Sequence, residues 1–449
     1  MKSERRLYHN MKIFDGIAET LQDRNIIITH KDRIEHISDT SEMNQYKDCE
    51  NIDLKGRILL PGFIDAHIHV TVPFMMKVTP KGLFQMNKQV AKNIENCVKY
   101  GVTTIRDMAS FPKKIIKWRK RIESGQVAGP RILTALSFIT SPKGIPEMAP
   151  TLKPIEALIT GGQFVERLTT PEEIITVANR LVDSGADLLK TQYEENSFLF
   201  HGKLPNLSDD CLEALVRVGK KRDVNVAMHH FERNGFLKGI NVGVNTLEHC
   251  ATDELKDEDI ERFVGQKMAI IPTVKALGDY LEIDEILDFL RTKGSEDLLS
   301  EPLRQSIEGI EMFSKKPYPP KDYENQFYPD VEFFKRTHPI VLRNVERIMK
   351  MGGTIGVGTD CCGTGMSFFG HYWKELKWLT SAGFTNADAL KAATAVNAAI
   401  IGMADSIGTI EPSKYADFTI IEGDPLENVE NVKNVKMVVK GGNVIYNNL

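Results

Sequence analysis

From about residue 60 to about residue 400 the chain alternates short apolar runs ending in polar residues with longer stretches of helical periodicity, and this alternation constrains the fold most. A strand followed by a helix, repeated, lays its strands parallel, because each helix carries the chain back to the edge where the strand began. Strands are predicted near residues 59–69, 102–108, 131–136, 186–191, 224–229, 243–249, 268–273 and 354–360. Helical stretches at 81–100, 171–184, 208–222, 331–351 and 386–402 lie between or after them, and Gly101, Gly185 and Gly352 stand where a helix end favours glycine. Eight such units predict an α/β fold, a (β/α)8 barrel of the TIM type. Residues 274–330, between the seventh strand and its helix, exceed a plain connection. They hold Lys316-Pro317-Tyr318-Pro319-Pro320 and Tyr323, Phe327 and Tyr328, and read equally as a surface insertion or as a lid over the barrel mouth.

The two chain ends have a different texture. Met11-Lys12-Ile13-Phe14, Asn25-Ile26-Ile27-Ile28 and Arg33-Ile34-Glu35-His36-Ile37 are short apolar runs separated by turns, the pattern of a small antiparallel sheet. The tail repeats it in Asp417–Ile421, Val435–Val439 and Asn443–Tyr446, with Gly441-Gly442 as a hairpin turn. Residues 1–60 and 404–449 therefore look alike and are expected to form one small β domain, and residues 61–403 the barrel.

Lys and Arg number 57 against 61 Asp and Glu, a net charge of −4, and no long basic run interrupts the balance. Nucleic acid and anionic membrane surfaces are thus excluded as expected partners in favour of a small-molecule substrate, with a homo-oligomer left open. The start lacks an apolar targeting core, and no stretch is apolar enough to span a bilayer. Six scattered cysteines (Cys49, Cys97, Cys211, Cys250, Cys361 and Cys362) fit free thiols in a reducing, cytoplasmic setting, the adjacent Cys361 and Cys362 being expected to pack rather than to ligate.

The chemistry is concentrated at predicted strand ends. Phe63-Ile64-Asp65-Ala66-His67-Ile68-His69 carries two histidines two residues apart on a strand, so both imidazoles point to one side and can share an ion. His229 and His230 close the fifth strand, His249 the sixth and Asp360 the eighth, the end at which barrel enzymes place their sites. Lys190 ends the fourth strand. Beside cations its ammonium would be repelled into the neutral amine, which can take up carbon dioxide as a carbamate. Pairing with Glu194 or Glu195 is the purely structural alternative. A Gly-x-Ser-x-Gly elbow and a glycine-rich phosphate cradle are both lacking.

The run Leu60-Pro61-Gly62-Phe63-Ile64-Asp65-Ala66-His67-Ile68-His69 resembles the first-strand motif of the amidohydrolase superfamily, and the resemblance extends over the whole chain. Gly101–Asp107 is similar to the second strand of its prolidase-like (imidodipeptidase) branch, Gly185–Lys190 to its carboxylated-lysine strand, and Thr246–His249 and Gly358-Thr359-Asp360 to its last ligand strands. Ile407–Pro412 followed by Ala416-Asp417-Phe418 is similar to the segment where such proteins return from the barrel to a satellite β-sandwich, so the resemblance makes residues 1–60 and 404–449 one small β-sandwich; it also implies two divalent ions, zinc by preference. His67 and His69 would hold one, His229 and His249 the other, with a carbamate on Lys190 bridging and Asp360 beside the attacking hydroxide. Asp360 would accept a proton and pass it to the leaving group. Tyr193 is a candidate oxyanion donor or a wall residue, and His230 a candidate substrate contact. Which of His229 and His230 faces the metal is open, because a one-residue change of register exchanges faces.

Two departures bear on function. Ser141-Pro142-Lys143-Gly144-Ile145-Pro146 replaces the Gly- and His-containing loop usual in that branch, so its substrate contacts do not transfer. His229-His230-Phe231-Glu232 also resembles the deaminase and imidazolonepropionase branches, where one metal suffices and the glutamate handles protons. The expected activity is hydrolysis of an amide (C–N) bond in a dipeptide or N-acyl amino acid. The alternatives are a mononuclear deaminase or cyclic-amide hydrolase using Glu232, and a non-catalytic interaction protein of the same fold.

Overall fold

The computed structural model describes residues 4–23, 25–71, 80–146, 154, 157–158, 161–197, 202–292, 295–296, 299, 331–361, 367 and 369–449. Its centre is parallel sheet in two hydrogen-bonded sets. One contains Phe63–Ile68, Val102–Asp107 and Arg131–Thr134. The other runs, in spatial order, through Thr354–Ile355, Ala269–Ile271, Thr246–Glu248, Asn225–His229, Leu188–Gln192, Phe138–Thr140 and Val165–Arg167. Backbone bonds join the sets on both sides. Ala66 N donates to Val357 O at 2.9 Å and Asp360 N to His67 O at 2.8 Å, while Asp187 N donates to Thr134 O at 2.8 Å. This is the expected α/β barrel architecture.

Helices cover the sheet where the sequence carries caps and apolar stripes. Thr170 and Glu173 form a reciprocal capping box before Pro171–Asp183, whose Ile174, Ala178 and Leu181 are buried. Ser208 accepts from Cys211 N and opens Asp209–Arg222. Among the described residues no helix is long and apolar enough to cross a membrane.

Three expectations change in detail. The strand expected near 131–136 is cut at Leu136, where φ is +63°, and Phe138–Thr140 resumes beside Leu188–Gln192 through the Lys190–Phe138 pair. The single helix expected over 386–402 is three segments, Asn386–Lys391, a π-helical Ala392–Val396 and Asn397–Ile400. At the end of the wider turn Asn397 reaches the sheet, where its Nδ2 donates to Ile64 O at 2.7 Å and Val357 O at 2.8 Å and its Oδ1 accepts from Val357 N at 3.0 Å. One side-chain amide thus staples the first strand to the eighth. The excursion after the seventh strand begins with helices Val274–Gly278 and Ile283–Leu290; Lys316–Pro320, Tyr323, Phe327, Tyr328 and Cys362 lie outside the described residues.

Strands from both chain ends share one seven-stranded sheet, ordered Asn443–Asn447, Val435–Lys440, Phe418–Ile421, Glu50–Pro61, Arg5–Ile13, Asn25–His30, Arg33–Asp39. The purely antiparallel texture expected here fails at one pair, since Arg5–Ile13 and Glu50–Pro61 run parallel. The hairpin Asn25–Asp39 lies between them in sequence and returns the chain in its original direction. The sheet is anchored to the barrel floor by Arg131 Nη1, which donates to Asp417 Oδ2 at 2.7 Å, and by Thr419 Oγ1, which donates to Gly101 O at 2.7 Å.

Candidate active site

Strand register sorts the polar residues before any side-chain contact is considered. Lys190 is paired with Ala227, Gln192 with His229, and His229 with Glu248, so these positions share the inward face. Thr191, Met228 and His230 alternate outward. The two histidines part company in space. The His229 ring lies 4.5 Å from that of His249. The His230 ring packs 5.7 Å from Phe236, and its Nδ1 donates to Glu248 O at 3.1 Å.

His67, His69 and Asp360 converge so that one ligand atom from each lies within 4.8 Å of the others, a group that could hold a metal ion. Asp360 Oδ1 is 3.6 Å from His67 Nε2 and 3.4 Å from His69 Nε2. The other ring nitrogens are tied down: His67 Nδ1 to Glu248 Oε2 at 2.7 Å and His69 Nδ1 to Ala109 O at 3.1 Å. Both Nε2 atoms are thereby turned to Asp360. The His249 ring is 4.8 Å from that of His67, and its Nδ1 is bonded to Thr273 Oγ1 at 2.6 Å. Glu248 and His249, neighbours in sequence, both face the mouth. Strict alternation forbids that; His249 has φ +70°, and this left-handed turn at the strand end makes it possible. Asp360, at φ +49°, turns in the same way.

Close approach at the seam depends on Gly358. A Cβ there would meet His67 Cβ at 2.6 Å and His67 N at 2.9 Å, so the eighth strand can pass the first only without a side chain.

Burial sets the protonation of this cluster. It holds the His67, His229 and His249 imidazoles well below the usual histidine range, reinforced by the charge of Lys190 and by one another. His69 is also buried, but its bond to Asp360 and that carboxylate's charge outweigh the desolvation and raise it. The Lys190 amine is 1% exposed and pushed down to about 7, chiefly by burial. Among the described residues its Nζ has no hydrogen-bond partner, so the alternative pairing with Glu194 or Glu195 does not form. A buried amine without a hydrogen-bond partner, beside three imidazoles that burial keeps neutral, suits a site completed by cations and a charged modification, and in that sense these residues fit divalent metal.

Other expected contacts go elsewhere. The Tyr193 hydroxyl donates to Glu195 Oε1 at 3.4 Å, with Lys238 Nζ 5.2 Å from its ring centre, so it is not brought against the histidines. Glu232 accepts from Glu195 N at 2.9 Å and Asn196 Nδ2 at 2.6 Å, which commits it to holding that loop.

Sequence reasoning passed over three residues. Arg106, 2% exposed, donates from Nη2 to Glu248 Oε1 at 2.8 Å and from Nε to Ala66 O at 2.6 Å, a buried ion pair beneath His67. Glu248 itself stands beside a more conspicuous histidine. Glu194, considered only as a partner for Lys190, places Oε2 2.7 Å from His229 Nε2. Inward alternation from Lys190 through Gln192 was the available signal for Glu194.

The amidohydrolase family model matches residues 58–445. No curated protein matches the chain. Among solved structures, a Xaa-Pro dipeptidase with bound methionine in the active site superposes with TM-score 0.74 at 22% identity, covering 99% of this chain and 100% of that one. A. niger ochratoxinase gives 0.75 at 17% identity, covering 100% and 96%, and molinate hydrolase 0.74 at 18%, covering 99% and 95%. At these identities the likeness is one of fold.

Proposed function

The chain belongs to the amidohydrolase family, and from that premise we propose that it is a metal-dependent hydrolase cleaving an amide C–N bond in a small molecule such as a dipeptide or N-acyl amino acid. The observation that carries this reading is the buried Lys190 amine, without a hydrogen-bond partner among the described residues, beside four histidines each already tied through one ring nitrogen. His67 and His69 would hold one divalent ion, His229 and His249 a second, with a carbamate on Lys190 between them; zinc suits imidazole and carboxylate donors. Such ions supply a hydroxide at neutral pH and polarise a carbonyl.

The chain's own residues do the remaining work. Glu248 and Ala109 fix the orientation of His67 and His69. Asp360 Oδ1, 3.4 Å from His69 Nε2, is placed to accept a proton and return it to the leaving nitrogen. The alternative that uses Glu232 with a single metal is less well supported, because both oxygens of that carboxylate accept bonds from the Glu195–Asn196 loop. A substrate of the prolidase or N-acyl amino acid type is in keeping with the folds of the Xaa-Pro dipeptidase and ochratoxinase. The free thiols of Cys49, Cys97, Cys211, Cys250 and Cys361 suit a cytoplasmic location.

Elemental analysis of the isolated protein, joined to a screen of proline-terminated, hydrophobic and basic dipeptides against N-acyl amino acids, tests the proposal. Two equivalents of divalent metal and amide cleavage abolished in Lys190→Ala are expected. One equivalent, with Lys190→Ala still active, would move the enzyme to the mononuclear branch.

A further inference from the structure

His229 is bound in the opposite sense to the other three histidines of the cluster. His67, His69 and His249 are each tied through Nδ1, to Glu248, Ala109 and Thr273. His229 is tied through Nε2, to Glu194 Oε2 at 2.7 Å, which leaves Nδ1 as its free nitrogen. The pair is buried, Glu194 being 1% exposed and His229 8%.

The carboxylate is held there by a built support. Asn206 brackets the Glu194 main chain, its Oδ1 accepting from Glu194 N at 2.9 Å and its Nδ2 donating to Glu194 O at 2.9 Å. Glu195 O accepts from Leu204 N at 2.9 Å, and Glu195 N donates to Glu232 at 2.9 Å. Main-chain bonds on both sides therefore set where the Glu194 side chain starts. A carboxylate opposite a ring nitrogen fixes the tautomer and raises the donor strength of the other nitrogen, and removing such a partner typically costs about 10–100-fold in metal affinity.

We infer that Glu194, clamped by Asn206, is a positioning residue that accepts a hydrogen bond from His229 Nε2–H, holds the proton on that nitrogen and so presents Nδ1 to a divalent cation. The inference rests on the two-ion reading above. It assigns Glu232 an indirect part as well, through the loop it anchors.

Two measurements test it. In the metal-free protein carrying 15N-labelled histidine, the His229 ring should report the Nε2–H tautomer in wild type and in Glu194→Gln, which keeps an acceptor, and a mixture of tautomers in Glu194→Ala. In cobalt titrations followed by visible absorption, Glu194→Ala should weaken the second ion by about 10–100-fold while the first binds as in wild type, with Glu194→Gln and Asn206→Ala losing less. An unchanged tautomer, or two ions bound as tightly in Glu194→Ala as in wild type, overturns the inference. Wild type that takes up only one cobalt ion, with the Nε2–H tautomer intact, overturns the two-ion reading and leaves Glu194 as the orienter of His229 alone.

Discussion

Replacing Arg106 by methionine isolates the buried charge on which the first-strand histidine, His67, rests. Arg106 and Glu248 are 2% and 0% exposed as side chains, with Nη2 and Oε1 2.8 Å apart, and methionine fills much of the arginine stem's volume. The substitution removes the positive partner and leaves Glu248 with two neutral donors, Thr246 Oγ1 at 2.6 Å and His67 Nδ1 at 2.7 Å. Stranding one member of a buried pair costs about 3–5 kcal/mol, whereas replacing both is often close to neutral. Arg106→Met should therefore lose about 3–5 kcal/mol, and Arg106→Met with Glu248→Gln should regain about half or more of it. Trp118 lies on helix Pro112–Glu123 and Trp373 and Trp378 on Tyr372–Ser381, so urea unfolding followed by tryptophan fluorescence reads the barrel directly. A loss under about 1 kcal/mol in the single variant, or a double variant as unstable as the two singles summed, would refute the reasoning.

Other perturbations have defined directions. Gly358→Ala must displace the His67 backbone or side chain, and should lower first-ion affinity in cobalt titration together with thermal stability, by about 1–3 kcal/mol for the overpacking. Glu375 accepts the backbone N–H groups of Val274 at 3.0 Å and Lys275 at 2.7 Å; Glu375→Ala strands both, costing about 1–3 kcal/mol for each in a denaturant titration, while Glu375→Gln should cost less. Burial pushes the His338 imidazole down to about 4, beside the Trp378 ring at 4.5 Å. The unfolded chain then binds the extra proton first, so stability is full above about pH 6.5 and is lost as pH falls towards 4, by up to about 3 kcal/mol at about 1.4 kcal/mol per unit. His338→Phe should flatten unfolding free energy across that window, and an unchanged slope would count against the assignment.

What the sequence revealed and what it hid follow from the range of each interaction. His67, His69, Lys190 and Asp360 were legible because strand alternation and strand ends are local properties, and the barrel brings strand ends together. Which of His229 and His230 shares the inward face needed register, which lies in pairing with Gln192 and Glu248 and not in the fifth strand alone. Arg106 and Glu248 are 142 positions apart, and neither has a neighbour in sequence that announces the other. The break at Leu136 and the π-helical turn before Asn397 were hidden for a similar reason. A positive φ at a leucine and a widened helical turn persist because surrounding structure compensates them, which local propensity does not encode.

The satellite sheet draws its strands from regions more than 350 residues apart, and this bears on how the protein is made. Glu50–Pro61 emerges from the ribosome early, yet one of its two partners, Phe418–Ile421, is translated near the end. Throughout synthesis of the barrel, an edge carrying Ile58, Leu59 and Leu60 waits without its neighbour, open to pairing with other nascent chains. Termination after the last barrel strand, Thr354–Ile355, but before Phe418 therefore leaves a complete set of barrel strands attached to an adhesive ribbon, and chaperone dependence should fall sharply once translation passes residue 421.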